Sequence, residues 1–442
     1  MKKLLILTLV IFLSENIYAQ ENTFSLQQCI EYALKNHGSV LNAQLDEDIA
    51  QKKVNELRGL GTPQIEGTAD FNNFLEVPTS FVPGEFFGGA PGAVIPVQFG
   101  LRYSSSAAIN ASQLLFDGSY LVGLQASKTY QNLSRKQSKQ TRTEAAVNVT
   151  KAYYGAIVSN ARMDVIDANL ERVEKMLSEI KVLNLNGFVE KLDVDRLELA
   201  YNNLLVDKEK VKRFETLSYG LLKFQMGYPA AQPINLSDSL EVFNLQEVSI
   251  PESVNLTNIP EYEVMTVNKN LQELDVKRYK TTYLPSLVAF GSIGYNNGRN
   301  SFDIYQSGLK WYPSALIGAK LTVPIWDGLQ KSSRISQAKL ALKKVDNALV
   351  LMKNGFELEL ESAKANYMNN AASLSIVKKN KELATEIARV SKVKYDNGVG
   401  SSLEVVDAES ALREADANYL NTLYETIIAR IDLDKASGNL NY

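Results

Sequence analysis

Proline is missing from two very long stretches of this sequence, and that limits the folds open to it. All twelve prolines lie between Pro63 and Pro324, with none in residues 97–228 or 325–442. Inside a helix, proline loses its N–H donor and clashes with the preceding turn, so each half of the chain is free to run a very long helix. The apolar spacing uses that freedom. Ile166, Leu170, Val173, Leu177 and Ile180 step by four, three, four and three, and Ile376, Leu383, Ile387 and Val390 repeat the pattern. This is the seam of helices packed as coiled coils. A helix from Ser119 to Leu185 would reach on the order of 100 Å, which asks for a rod or a long barrel.

The two halves are copies of one plan, because short motifs recur at a nearly constant offset. Leu115-Phe116-Asp117-Gly118 matches Ile325-Trp326-Asp327-Gly328, and Asn186-Gly187 matches Asn397-Gly398. Pro63-Gln64-Ile65 corresponds to Pro285-Ser286-Leu287, and Gly227 to Gly438. The expected division is a signal peptide (1–19), a first repeat (20–228), a linker (229–260) and a second repeat (261–442). In the first repeat, strands are expected near 64–74 and 101–116, with helices near 119–185 and 190–226. In the second, strands fall near 286–296 and 308–326, with helices near 329–395 and 402–437. The linker, with four prolines, reads as having little regular structure.

The strands alternate. Ile65, Gly67, Ala69 and Phe71 interleave with Gln64, Glu66, Thr68, Asp70 and Asn72, while Ile317, Ala319, Leu321, Val323 and Ile325 interleave with Gly318, Lys320 and Thr322. Ser286–Tyr295 and Ala107–Phe116 alternate less cleanly. Period two over about ten residues suits a tilted transmembrane strand with one face to lipid and one to a lumen. A soluble half-buried sheet gives the same alternation, but four such strands behind a signal peptide favour the membrane. The connecting residues 74–100 and 296–312 are rich in aromatics, which suits an outer rim and equally suits ordinary loop packing. Four strands are too few to close a barrel, since the smallest have about eight, and open edges are not tolerated in lipid. Several copies must therefore share one barrel; two, three or four remain open at this point.

The bulk properties exclude other classes. Lys2 and Lys3, the apolar run Leu4–Leu13 and the small residue Ala19 read as a secretory signal. No later apolar run is long enough for a membrane-spanning helix. Without Lys2, Lys3 and Glu15, the 47 basic and 50 acidic residues leave a net charge of −4, which argues against a nucleic-acid partner. Cys29 is the only cysteine and His37 the only histidine, so neither an internal disulfide nor a structural zinc site is expected. Cys29 sits among Leu26, Ile30 and Ala33 as a buried helix residue. No phosphate loop or dinucleotide glycine pattern is present. No cofactor and no enzymatic activity are expected.

The chain resembles the TolC-type outer-membrane efflux family over nearly all of its expected mature length. The residues that carry the likeness are Phe24 to Asn36, the two Asp-Gly corners, and Tyr395 to Leu440. The last stretch includes Glu404-Val405-Val406-Asp407-Ala408 and Ala436-Ser437-Gly438-Asn439-Leu440. The resemblance implies a mainly α fold with a β part. It implies a homotrimer with a 12-stranded outer-membrane β-barrel, four strands per chain, continued by a long periplasmic α-helical barrel. It also implies an inner-membrane pump of RND or ABC type and a periplasmic adaptor as partners. The chain would then be the outer-membrane channel of a tripartite efflux or type I export system.

The residues that would control such a duct cluster at the helix-hairpin turns. Glu404 and Asp407, three apart, share a helix face; the resemblance places them in an acidic ring at the periplasmic entrance, where a solvated helix surface is the plain alternative. Tyr395 matches a family tyrosine that latches the entrance, and Asp193 resembles another gate acid. Gly400 stands where family members carry a latch arginine, and Arg196, which aligns with Asp407, is expected to pair across hairpins with Asp407 or Glu404 in its place. Gly187-Phe188 and Gly398-Val399 should form the two tips, with the glycines ending the helices and the apolar neighbours meeting the adaptor. A soluble periplasmic coiled-coil rod is the main alternative class. A secreted hydrolase with paired carboxylates and a simple porin fit the long helices poorly.

Overall fold

The computed structural model describes residues 23–238, 240, 250–303, 306 and 308–440; the expected signal peptide lies outside them. The chain forms two compact units, and each draws on both sequence repeats. One comprises the described parts of Met1–Glu47, Leu133–Thr266 and Asn347–Tyr442, the other Asp48–Asn132 and Val267–Asp346.

The first unit is helical. Helix α1 (Leu26–Asn36) opens with a capping box, in which Ser25 Oγ accepts from the Gln28 N–H and Gln28 Oε1 from the Ser25 N–H. It buries Cys29, Ile30 and Ala33 against Tyr153, Leu222 and Met226. The long helix α3 (Gly118–Leu185) returns as α4 (Lys191–Met226), and α6 (Gln330–Asp396) returns as α7 (Ser402–Ser437). The seam Ile166, Leu170, Val173, Leu177 and Ile180 is buried against Val194, Leu197 and Leu204 of α4 and Val405 of α7. Helix α6 behaves differently. It buries Leu360, Ala363 and Tyr367 against Ala429, Leu433 and Ala436 of α7, and leaves Ile376, Leu383, Ile387 and Val390 exposed. Leu351 and Leu358 extend this bare seam, and α4 has one of its own at Leu192, Leu199 and Val206.

The second unit is built on a four-stranded antiparallel sheet in the order β2-β5-β7-β8. Its strands are β2 (Gln64–Asn73), β5 (Tyr103–Phe116), β7 (Ser286–Arg299) and β8 (Tyr312–Thr322). Opposed residues on antiparallel neighbours share a face, so the register sorts the side chains. One face carries Ile65, Ala69 and Phe71, then Ile109 and Ala107, then Ile293 and Tyr295, then Ile317 and Ala315. The other carries Glu66, Thr68, Asp70 and Asn72 opposite Asn110, Ala108, Ser106 and Ser104. Polar side chains there bond across the strands: Asn110 Nδ2 donates to Thr68 Oγ1 at 3.2 Å, and Ser106 Oγ to Asp70 Oδ2 at 3.4 Å. The apolar face is bare, with Ile65 72% and Ile317 91% exposed.

Several elements differ from the expectation. Strand β8 stops at Thr322, short of residue 326, where Pro324 has no N–H for a ladder. Strand β7 runs on to Arg299. Residues 74–100, expected as a loop, contain a hairpin of β3 (Thr79–Pro83) and β4 (Val94–Gln98) around a short 3₁₀ turn at Gly84–Phe87. Within the linker, β6 (Asn235–Leu236) pairs in parallel with β1 (Thr23–Phe24). Pro260 begins α5 (Pro260–Thr281), the first helical position being where proline costs nothing. Helix α2 (Gly38–Leu60) leads into β2 in the same way that α5 leads into β7. Among the described residues no helix is long and apolar enough to cross a membrane.

Candidate functional site

The two hairpin tips are the same backbone device made twice. At the end of α3 the Phe188 N–H donates to the Leu183 carbonyl at 2.9 Å and the Gly187 N–H to the Asn184 carbonyl at 2.9 Å. At the end of α6 the Val399 N–H donates to Lys394 at 3.0 Å and the Gly398 N–H to Tyr395 at 2.9 Å. Both are Schellman turns, which need a left-handed residue after the helix; Gly187 has φ 78° and Gly398 φ 74°. Asn186 and Asn397 each cap the carbonyl four residues back with Nδ2, at 2.8 and 2.7 Å. The residues just past the glycines project outward, with Phe188 76% and Val399 79% exposed.

Close to the tips, Ser402 Oγ of α7 donates to Asp193 Oδ1 of α4; farther from them, Arg172 Nε of α3 donates to Glu409 Oε2 of α7 at 3.4 Å. Ser402 is buried, and Asp193 also lies 3.6 Å from Arg196 Nη1, one turn along its own helix. The expected pairing of Arg196 across hairpins is not formed within the chain. Its neighbour three residues back on α4 is closer, and α7 presents Ser402 rather than a carboxylate at that point. Sequence reading missed Ser402. The signal was the Ser401-Ser402 pair: Ser401 caps α7 by accepting from the Glu404 N–H at 3.2 Å, which leaves Ser402 at the first helical position beside α4.

Tyr395 is partly buried, and its hydroxyl has no hydrogen-bond partner among the described residues. Burial raises its pKa, and the nearby charges of Asp193, Asp396 and Glu179 raise it further, so the hydroxyl stays protonated and remains a donor. Glu404 and Asp407 are both exposed, while Val405 and Ala408 turn inward from the same helix. Neither acid makes an ion pair within the chain among the described residues. Gly400 packs tightly, and a Cβ there would meet the Tyr395 backbone nitrogen at 3.0 Å. No group of three or more potential metal-ligating side chains is present among the described residues.

Residues 264–439 match the sequence model of the outer membrane efflux protein family. The outer membrane protein TolC of Vibrio cholerae is 22% identical over 97% of this chain and 93% of its own length. TolC of Escherichia coli K12 is 21% identical, covering 100% of this chain and 87% of its own. Over nearly its whole length this chain is similar to TolC-type outer membrane proteins, and part of its second repeat matches the efflux family model.

Solved structures share the fold. The CmeC outer membrane channel of Campylobacter jejuni superposes with a TM-score of 0.73 at 18% identity, over 93% of this chain and 85% of its own. The open state of the MtrE channel of Neisseria gonorrhoeae gives 0.73 at 17% identity, over 93% and 88%.

Proposed function

We propose that this chain is one of three identical subunits of an outer-membrane duct, through which a tripartite efflux or type I export system discharges its cargo. The observation that carries this reading is the β2-β5-β7-β8 sheet. It has one bare apolar face, one hydrogen-bonded polar face, and two unpaired edges. In lipid such a sheet is stable only if its edges are closed by further strands. The exposed seams of α4 and α6 support the same conclusion, because apolar heptads left bare in one copy need a second helix to cover them. A soluble rod gives no reason for the bare Ile65 and Ile317.

In this proposal Glu404 and Asp407 line the periplasmic entrance and draw cations, as rings of carboxylates do in cation channels. Asp193, Tyr395 and Arg196 set the resting closure of the hairpins, joined now by Ser402. Gly187-Phe188 and Gly398-Val399 form the surface that meets a periplasmic adaptor, through which an inner-membrane pump of RND or ABC type is engaged. Reconstitution in planar bilayers tests the reading. Discrete channel currents with a preference for cations are expected, and Glu404→Gln with Asp407→Asn should lower that preference several-fold. No current, or a preference indifferent to both changes, would remove the proposed role.

A further inference from the structure

The four strands of the sheet carry four charged residues: Glu66 and Asp70 on β2, Arg299 on β7 and Lys320 on β8. Arg299 is neutralised by Asp303 at 2.8 Å, and Asp70 accepts from Ser106. Glu66 and Lys320 make neither an ion pair nor a side-chain hydrogen bond within the chain among the described residues. They stand on the two edge strands, which are the strands left without an outer neighbour.

Three features make these charges complementary. First, they share a face. Gly318 is in register with Phe290, Ser112 and Gln64, so Lys320, two residues after Gly318, and Glu66, two after Gln64, both belong to the polar side. Second, they match in depth. Glu66 is the third residue of β2 counted from the α2 end, and Lys320 is the third from last of β8 at the α6 end. Each thus lies about 7 Å from the helix side of its strand. Third, the edges have opposite direction. Antiparallel order over four strands makes β8 run against β2, so adding the β2 of another copy beside β8 continues the pattern unbroken.

In a shared barrel β8 of one copy lies beside β2 of the next, and we propose that Lys320 closes an ion pair with Glu66 of the next copy across each seam. Neighbouring strands lie about 4.8 Å apart, well within reach of a lysine side chain. The contact is head-to-tail, the type that closes a ring, and it selects register: slipping by one residue would turn Lys320 toward lipid. This inference rests on the shared-barrel reading above.

Charge exchange tests it. Lys320→Glu and Glu66→Lys should each lower the temperature at which the oligomer dissociates in SDS by several degrees, and the double exchange should recover most of that loss. Raising the salt concentration should shrink the difference between wild type and single variants. In parallel, Lys320→Cys with Glu66→Cys should give covalent dimers and higher species on oxidation, with Cys29 buried and not competing. A double exchange no better than the summed singles, with no cross-link from the cysteine pair, overturns the ion pair. If the wild type is itself monomeric in mild detergent, the shared barrel falls instead, so the two failures are distinguishable.

Discussion

The seams of α3 and α6 are equally plain in the sequence, yet they have opposite fates. Ile166, Leu170, Val173, Leu177 and Ile180 are buried within the chain, whereas Ile376, Leu383, Ile387 and Val390 stand exposed. A duplicated sequence therefore makes two helices with the same kind of stripe, and the chain has a partner for only one. The difference separates what holds a single copy together from what is left for assembly. The face that α6 does bury mixes sizes: Leu360, Tyr367 and Leu374 in one stretch, then the small Ala384 and Ala388 toward the tip. Ala384 and Ala388 pack against Ala408 and Leu412 of α7, while Leu383 and Ile387 beside them stand exposed.

The comparison gives an ordered set of expectations. Ile180, fully buried in α3, should cost about 2–5 kcal/mol on truncation to alanine, read as a fall in the thermal midpoint by circular dichroism. Leu383→Glu combined with Ile376→Glu should leave helical content intact and convert the assembly to monomers on a sizing column. Loss of helix, or an unchanged oligomer, would show that the α6 seam is not an assembly surface. At the tips, Ser402→Ala removes a bond to a charged acceptor worth about 1.5–3 kcal/mol; it should raise the open probability of the channel in bilayers, whereas Ser401→Ala should only fray α7. Arg196→Ala is expected to change conductance least. Its partner Asp193 lies one turn away on the same helix, and pairs at that spacing contribute a few tenths of a kcal/mol. A large effect there would point to a partner in another copy.

Much of this was legible from residues alone, for identifiable reasons. The long helices followed from missing proline, the turns from two Asn-Gly pairs, and the sheet from period-two alternation in β2 and β8. The hairpin at Thr79–Gln98 was not legible, because its prolines and glycines signal loop while its register is set by pairing with a strand about fifteen residues away. The Arg196 contact was misjudged because alignment of the repeats says which residues correspond and not which ones touch. Ser402 was missed because serine at a helix start is ordinarily a cap, and only the position of α4 makes it a tie. Which seam is covered is likewise a tertiary fact, invisible to periodicity.

The central claim is that four strands per chain become a closed barrel only by pooling with other copies. Native mass spectrometry of the protein extracted from outer membranes in mild detergent tests it most directly. The account predicts a particle of three chains and no stable single chain. A folded single chain that keeps its full strand content in detergent would contradict it.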